Sequence, residues 1–389
     1  MTLKKIAVMA ALAVSAHAAT ANEIKIGLMT TLSGPAAALG TDIRDGFQLA
    51  VKHLDQKMGG LPANIIIADD AQNPDTARQI AERFTKRDKV DIATGIVFSN
   101  ILLATAPAFF RDQTFYVSAN AGPSEYAGAQ CNPFFFNVAW QNDNLHEAMG
   151  KHMQDKGVKR IVLLAPNYPA GRDAINGVKR YYKGTVVEEI STRVGQLDYA
   201  AEIAQIRSLQ ADALYIFLPG GMGINFIKQY AQSGLMQRTP LFAPAFSADQ
   251  DTIGAVGEAM VGVMNSTHWY SEMNNPVNLR FVKDFQKEYG RLPTLYASQG
   301  YDAALFIDAA VKASGGKLND KNALRQAMRT VQAPSTRGTY KMRSNHYPEQ
   351  PYYLRTVAKN ADGSLSNRYV SKIVDSLPDA YISQCNMPR

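Results

Sequence analysis

Residues 24–57 read IKIGLMTTLSGPAAALGTDIRDGFQLAVKHLDQK, and this stretch decides the architecture. Ile24 to Met29 is short and apolar with two β-branched residues, the composition of a strand. Gly34 and Pro35 then punctuate a loop. Ile43, Phe47, Ala50, Val51 and Leu54 recur at helical spacing, which predicts a helix over Thr41 to Lys57 with one face turned to a core. The same rhythm continues through Ile65-Ile66-Ile67, read as a buried strand, a helix over Pro74 to Arg87, a strand over Asp91 to Val97, a helix through Phe110, and Thr114 to Ser118. A second series begins near Asn142. Its strands are Ile161 to Ala165, Val186 to Ile190, Ala213 to Leu218 and Leu241 to Ala243, and its helices are Ala170 to Tyr182, Tyr199 to Leu209 and Gly223 to Gln232. The pattern breaks near 265–270, and two long helices follow, Pro276 to Tyr289 and Leu295 to Ala313. The tail is strand-rich, over Thr339 to Met342, Tyr352 to Ala358 and Tyr369 to Val374. Strands alternating with helices predict an α/β fold of two lobes, each a mainly parallel sheet flanked by helices. No flexible linker separates the two series, so short crossovers should form a hinge.

The ends of the chain speak to its compartment. Lys4 and Lys5 precede an apolar run, Ile6 to Val14, and the small-x-small triplets Ala16-His17-Ala18 and Ala19-Thr20-Ala21 follow. This is the order of a secretory signal peptide over residues 1–21, with the mature protein expected to start at Ala19 or Asn22 and to reside in the periplasm. Even the most apolar later segment, Ile92 to Phe110, is interrupted by Gly95, Ser99, Asn100 and Pro107, so no membrane span is predicted. The formal charge of +7 falls to +5 without Lys4 and Lys5, and the excess is spread along the chain. It implies solubility and a mild bias toward anions, and excludes a nucleic-acid footprint. The only cysteines are Cys131 and Cys385. Export favours their pairing as a structural disulfide over two buried free thiols.

Catalytic signatures are missing. The first strand lacks the glycine spacing of a dinucleotide fingerprint, and Gly220-Gly221-Met222-Gly223 reads as a tight turn into a helix. No phosphate loop, HExxH or GxSxG motif occurs. His146 and His152 fall six apart, which does not put two metal ligands on one helix face. Asp69-Asp70 ends a strand without a partner base, so a solvated or capping role is expected. The chain reads as a non-enzyme with neither cofactor nor metal, a hydrolase or dehydrogenase being the rival class.

The block Ile26-Gly27-Leu28-Met29-Thr30-Thr31-Leu32-Ser33-Gly34-Pro35, with Gly40, Gly46 and Leu49-Ala50-Val51, resembles the type I periplasmic binding proteins of the leucine/isoleucine/valine-binding family. The resemblance continues through Asp69-Asp70-Ala71-Gln72-Asn73-Pro74, Phe115-Tyr116-Val117-Ser118, Ala165-Pro166-Asn167-Tyr168-Pro169-Ala170-Gly171 and Tyr296-Ala297-Ser298-Gln299-Gly300-Tyr301-Asp302-Ala303-Ala304. It covers nearly the whole mature chain. It implies two lobes joined by three crossovers, expected at 22–139 plus 268–340 and 140–267 plus 341–389, with a small molecule held between them for a membrane permease of an ABC importer. A monomer is expected.

Carried over position by position, the family's carboxylate-binding serine and amides fall on Ser99, Phe98 and Asn100. Ser99 also fits as the N-cap of its helix. The next loop matches Ala119, Asn120 and Ala121, where amino-acid binders carry a hydroxyl residue in place of Ala121. Tyr168 matches the tyrosine that closes over the ligand, its alternative being a core aromatic. Pro219-Gly220 occupies the following loop. The family's ammonium-binding acid should lie in Ala243-Pro244-Ala245-Phe246, yet no acid occurs before Asp249. A buried ammonium without a carboxylate costs several kcal/mol, so this pocket should reject zwitterions. Aromatics gather instead at Phe98, Tyr168, Phe246 and Tyr296. Trp140-Gln141-Asn142-Asp143 and Asn120-Ala121-Gly122-Pro123-Ser124 resemble the family's aromatic-acid-binding branch. The expected ligand is therefore an aromatic or other small organic acid. The alternatives are a branched-chain amino acid or amide, or a ligand-sensing regulator of the same fold.

Overall fold

A computed structural model describes residues 23–387, so the signal-peptide expectation lies outside the described residues. The first strand, β1 (Ile24–Thr30), is central to its sheet. Helix α1 (Ala37–His53) follows, then β2 (Lys57–Met58), β3 (Leu61–Asp69), α2 (Pro74–Arg83), β4 (Ile92–Thr94), α3 (Ser99–Arg111), β5 (Phe115–Ser118), α4 (Ser124–Ala127) and β6 (Phe135–Asn137). The strand order is β2-β3-β1-β4-β5-β6, parallel except for β2 against β3. Because β3 pairs with β1 on one side but has only the two-residue β2 on the other, Ile65, Ile66 and Ile67 are half-buried rather than buried as expected.

The second sheet is built from α5 (Asn144–Asp155), β7 (Arg160–Pro166), α6 (Pro169–Tyr181), β8 (Thr185–Thr192), α7 (Ala200–Ser208), β9 (Ala213–Ile216), α8 (Gly221–Gln232), β10 (Leu241–Pro244), α9 (Gln250–Val256) and β11 (Met264–Thr267). The chain then returns to the first unit with α10 (Pro276–Tyr289), α11 (Leu295–Ala313) and α12 (Lys321–Thr330). It passes a small hairpin, β12 (Lys341–Met342) and β13 (Pro348–Glu349), and adds β14 (Tyr352–Lys359) and β15 (Leu365–Val374) as antiparallel strands. The order is β15-β14-β11-β10-β9-β7-β8. The chain thus crosses between the units three times, near 138–143, 268–275 and 343–351. The hairpin at the third crossing leans on β6. Asn137 N donates to His346 O at 2.9 Å, and the His346 ring stacks on Phe136 at 3.9 Å.

Helix starts follow local capping chemistry. Asn73 Oδ1 accepts from Asp75 N and Thr76 N, Asn275 from Asn278 N, and Thr294 from Ala297 N, with Pro74 and Pro276 at first helical positions. Helix α1 begins a turn earlier than its apolar spacing predicts, because small residues at 36–38 wind into it. Its contact with α11 is backbone to backbone. A Cβ on Gly46 would lie 1.9 Å from Ala297 O, and one on Gly300 2.1 Å from Ile43 O. Strands β6 and β11, three and four residues long, were not foreseen from the sequence.

The expected disulfide is present. Cys131, in the loop between α4 and β6, is bonded to Cys385 in the tail beyond β15. Among the described residues, no helix is long and apolar enough to cross a membrane.

Candidate functional site

Three helix N-termini meet at the junction of the two units. Phe98 and Ser99 open α3, Ala170 lies in the first turn of α6, and Pro219 precedes α8. Between them lies a small cavity of about 20 Å3, lined further by Val97, Asn120, Ala121, Trp140, Asn142, Tyr168, Phe217, Phe246 and Tyr296. That is room for about one water molecule, so a ligand ring needs the lining side chains to give way.

Seven expected site residues line it together: Phe98, Ser99, Asn120, Ala121, Tyr168, Phe246 and Tyr296. Three do not. Asn100, half-buried on α3, is outside the lining, Ala119 is fully buried, and Gly220 packs against Leu39, so that Pro219 takes its place. Phe217 was not foreseen, although it follows β9 directly, at the carboxyl end of a strand where α/β sheets bind ligands. Asn142 and Ala170 carried no individual signal.

The walls are aromatic. Phe98 and Tyr168 have ring centroids 6.3 Å apart, Tyr168 and Phe217 stack at 6.2 Å, and Phe217 and Phe246 meet edge to face at 6.4 Å. Phe246 also contacts Trp140 at 4.0 Å and Tyr296 at 5.6 Å. The Trp140 Nε1–H donates to Asn120 O at 2.6 Å, which sets the indole face. Burial raises the Tyr168 and Tyr296 phenols above their ordinary range, so both stay protonated. Neither hydroxyl bonds a protein group among the described residues, which leaves both for a polar substituent on a ring.

The polar end is set by Ser99. Contrary to expectation it is not the N-cap. Phe98 occupies that position in extended conformation, and Ser99 is the first helical residue. Its Oγ accepts from Asn142 Nδ2 at 3.1 Å. The Ala121 amide, expected to face the cavity, is directed at Ile96 O at 3.4 Å. Asn120 Nδ2 donates to Val97 O at 2.7 Å, leaving Oδ1 buried without a partner. No lining residue carries a charge. The three helix N-termini therefore supply a fixed positive polarity.

Three carboxylates, Asp69, Asp70 and Asp249, are committed elsewhere. Asp69 Oδ1 accepts from Leu32 N and Ala71 N, and the fully buried Asp70 accepts from Thr31 Oγ1 and Gln72 N, so the pair holds the loop after β1 rather than being solvated. Asp249 Oδ2 accepts from Leu295 N at 2.6 Å, and Oδ1 lies 3.5 Å from Arg355. Among the described residues, Asp251 has both oxygens buried without a partner. Burial first, then the charges of Asp249 and Asp42, push its carboxyl from 3.8 up to about 7. The folded state thus holds this proton more tightly than the unfolded chain does. The resulting penalty is absent below pH 3.8, grows as pH rises, and is complete above about 7. Asp251→Asn should raise the thermal midpoint at pH 8 and leave it unchanged near pH 4. Equal shifts at both pH values would assign the effect to something other than this carboxyl.

Contacts between the units close the site. Gly221 N donates to Pro35 O at 3.2 Å, and Asp173 on α6 accepts from Ser124 Oγ at 2.7 Å and Ser124 N at 3.2 Å. Among the described residues, no group of three or more His, Cys, Asp or Glu side chains is disposed to hold a metal.

Comparison with known proteins agrees with this geometry. A family model described as periplasmic binding protein matches residues 23–363. The Leu/Ile/Val-binding protein homolog 6 of Brucella melitensis is 27% identical over 380 residues, covering 95% of this chain and 96% of its own length. Among solved structures, an ABC transporter solute-binding protein from R. palustris in complex with benzoate superposes with a TM-score of 0.89. It is 31% identical and covers 94% of this chain and 100% of that one. A second, from Rhodopseudomonas palustris BisB5 in complex with 3,4-dihydroxybenzoic acid, gives 0.86 at 28% identity over 92% of this chain and 99% of its own.

Proposed function

Since this chain belongs to the periplasmic binding protein family, we propose that it captures an aromatic carboxylate in the cleft between its lobes and presents it to the permease of an ABC importer. Like its relatives it is a solute-binding protein and not an enzyme. The observation that carries the ligand reading is a cavity with six aromatic side chains, a serine and three helix N-termini, and no charged side chain. A carboxylate gains from the helix termini and the Ser99 hydroxyl. An α-ammonium in the same place is unpaired, since Asp249 is engaged by Leu295 and Arg355. Ring stacking on Tyr168, Phe217 or Phe246 adds about 0.5–1.5 kcal/mol per pair beyond area burial.

In this reading the lobes are 22–139 with 268–340 and 140–267 with 341–389, the 341–349 hairpin riding on the first lobe's edge. The protein acts as a periplasmic monomer after removal of residues 1–21, and Ser99, Asn120, Tyr168, Phe246 and Tyr296 contact the ligand. Closure draws its free energy from contacts between the lobes together with those to the ligand.

Calorimetry with benzoate, 4-hydroxybenzoate, 3,4-dihydroxybenzoate and cinnamate against leucine and isoleucine tests the proposal. At least one aromatic acid should bind, with leucine weaker by about 100-fold or more for want of a partner to its ammonium. The hydroxylated acids belong in the panel because Asn120 Oδ1 and the two tyrosine hydroxyls are unpartnered. Ser99→Ala should weaken the preferred acid by about 1.5–3 kcal/mol, the range for a hydrogen bond to a charged group. The names of the sequence relatives favour the second reading, a branched-chain amino acid. Tight leucine binding with no detectable aromatic acid would establish it.

A further inference from the structure

We infer that Asn142 and Asp173 are positioning residues that force the Ser99 hydroxyl to donate into the cavity, so that closing the cleft selects an ionised acid over its neutral amide. The inference rests on the aromatic-acid reading above. Asn142 is the side chain in the set whose hydrogen-bond polarity is fixed by its partners. An amide nitrogen can only donate. Asn142 Nδ2 lies 3.1 Å from Ser99 Oγ, so Ser99 must be the acceptor in that bond. Ser99 is 2% exposed, and its own proton finds no protein acceptor among the described residues. It is the hydroxyl donor left at the polar end of the cavity.

What holds Asn142 in this orientation comes from both lobes. Its Oδ1 accepts from Gly122 N at 3.0 Å, and its backbone N–H donates to Gly122 O at 2.8 Å. Its second Nδ2 proton goes to Asp173 Oδ2 at 2.9 Å. Rotating the amide would set Asn142 oxygen against the Asp173 carboxylate and nitrogen against the Gly122 N–H, losing both bonds at once. Asp173 is 5% exposed and belongs to the second unit, whereas Ser99 and Gly122 belong to the first. The same carboxylate receives both donors of Ser124. Asn142 and Asp173 both lie in 140–267 and Ser99 in 22–139, so the donor that fixes Ser99 meets it only when the lobes meet, and closure and donor polarity are one event.

A carboxylate offers only acceptors to such a site, while an amide of the same shape brings an N–H2 that needs an acceptor. Benzoate and benzamide are matched probes, and the ratio of their dissociation constants reads the polarity of Ser99. In the wild type that ratio should favour benzoate by about tenfold or more, the span of one hydrogen bond to a charged group. Ser99→Ala should remove most of this preference. Asn142→Leu, which frees the Ser99 hydroxyl to turn and accept, should lower it by about tenfold. The double variant should lower it no further than Ser99→Ala alone, since Asn142 acts through Ser99. Asp173→Asn, which leaves every cavity wall in place, should lower the same ratio, and its folding is checked by thermal midpoint. An unchanged ratio in both Asn142→Leu and Asp173→Asn overturns the inference, as does full additivity in the double variant. A wild type that binds no aromatic acid overturns the parent reading and this inference with it. That result differs from benzoate binding with an unaltered ratio in the variants.

Discussion

Replacing Arg337 with alanine is expected to destabilise the protein by about 3–5 kcal/mol, the cost of leaving a buried charge without its partner. The Arg337 and Asp302 side chains are 4% and 1% exposed. Arg337 Nε donates to Asp302 Oδ2 at 3.0 Å, and its terminal nitrogens donate to the carbonyls of Val138 and Ala139 and to Gln350 Oε1. Val138 and Ala139 open the first crossing between the lobes, and Gln350 lies in the third, so one guanidinium ties two hinge strands to α11. Its rigid, five-donor fork makes this possible, and lysine could not replace it. Asp302 in turn accepts from Ser335 Oγ, Thr336 N and Thr336 Oγ1. The hinge histidine, His268, is held neutral by burial and then by the charges of Arg337 and Arg355. Urea unfolding of Arg337→Ala, Asp302→Ala and the double variant measures the pair, and the double should cost clearly less than the sum of the singles. A loss below about 1 kcal/mol for Arg337→Ala would place the network among exposed ion pairs, which contribute little.

The second large effect concerns the disulfide. Cys131 and Cys385 stand 254 residues apart. In the chain-entropy model a bond closing so long a loop contributes about 5 kcal/mol, while removing a native disulfide typically costs 2–5 kcal/mol. Cys131→Ser with Cys385→Ser should lower stability within that range. The bond also ties the tail to the first lobe. Near it, Tyr381 OH donates to Asp143 Oδ2 at 2.8 Å, and Arg180 bridges Asp143 and Glu147. Peptide mapping without reductant should give one cross-linked pair. Two alkylatable thiols in the native protein, or an unfolding midpoint unmoved by reduction, would remove this prediction.

Most of the strands and helices were legible because their period is local. Helix α10 runs over Pro276–Tyr289 and α11 over Leu295–Ala313 as read, since proline at the first turn and an asparagine or threonine cap mark their starts. The short strands β6 and β11 were not legible, although β5, β9 and β10, each of four residues, were. Strand β11 falls where the pattern breaks, since Met264-Asn265-Ser266-Thr267 is mostly polar. Local reading also misassigned Ser99, because both it and Phe98 stand at a helix start, and only the extended φ and ψ of Phe98 decide between them.

The sequence by itself determined the α/β alternation, the absence of an acid between Ala243 and Phe246, and the disulfide partners, for two cysteines allow only one pairing. Each is a matter of composition or of neighbours a few positions apart. The site was different. Asn142 meets Ser99 across 43 positions and Asp173 across 31, and Trp140 reaches Asn120 across 20. Phe217, Phe246 and Tyr296 come to one wall from β9, β10 and α11. No periodicity links residues so far apart, and a serine hydroxyl has no polarity until a neighbour takes its lone pair. Which residues face the cavity, and which way Ser99 donates, was decided only where loops of two separate sheets came together.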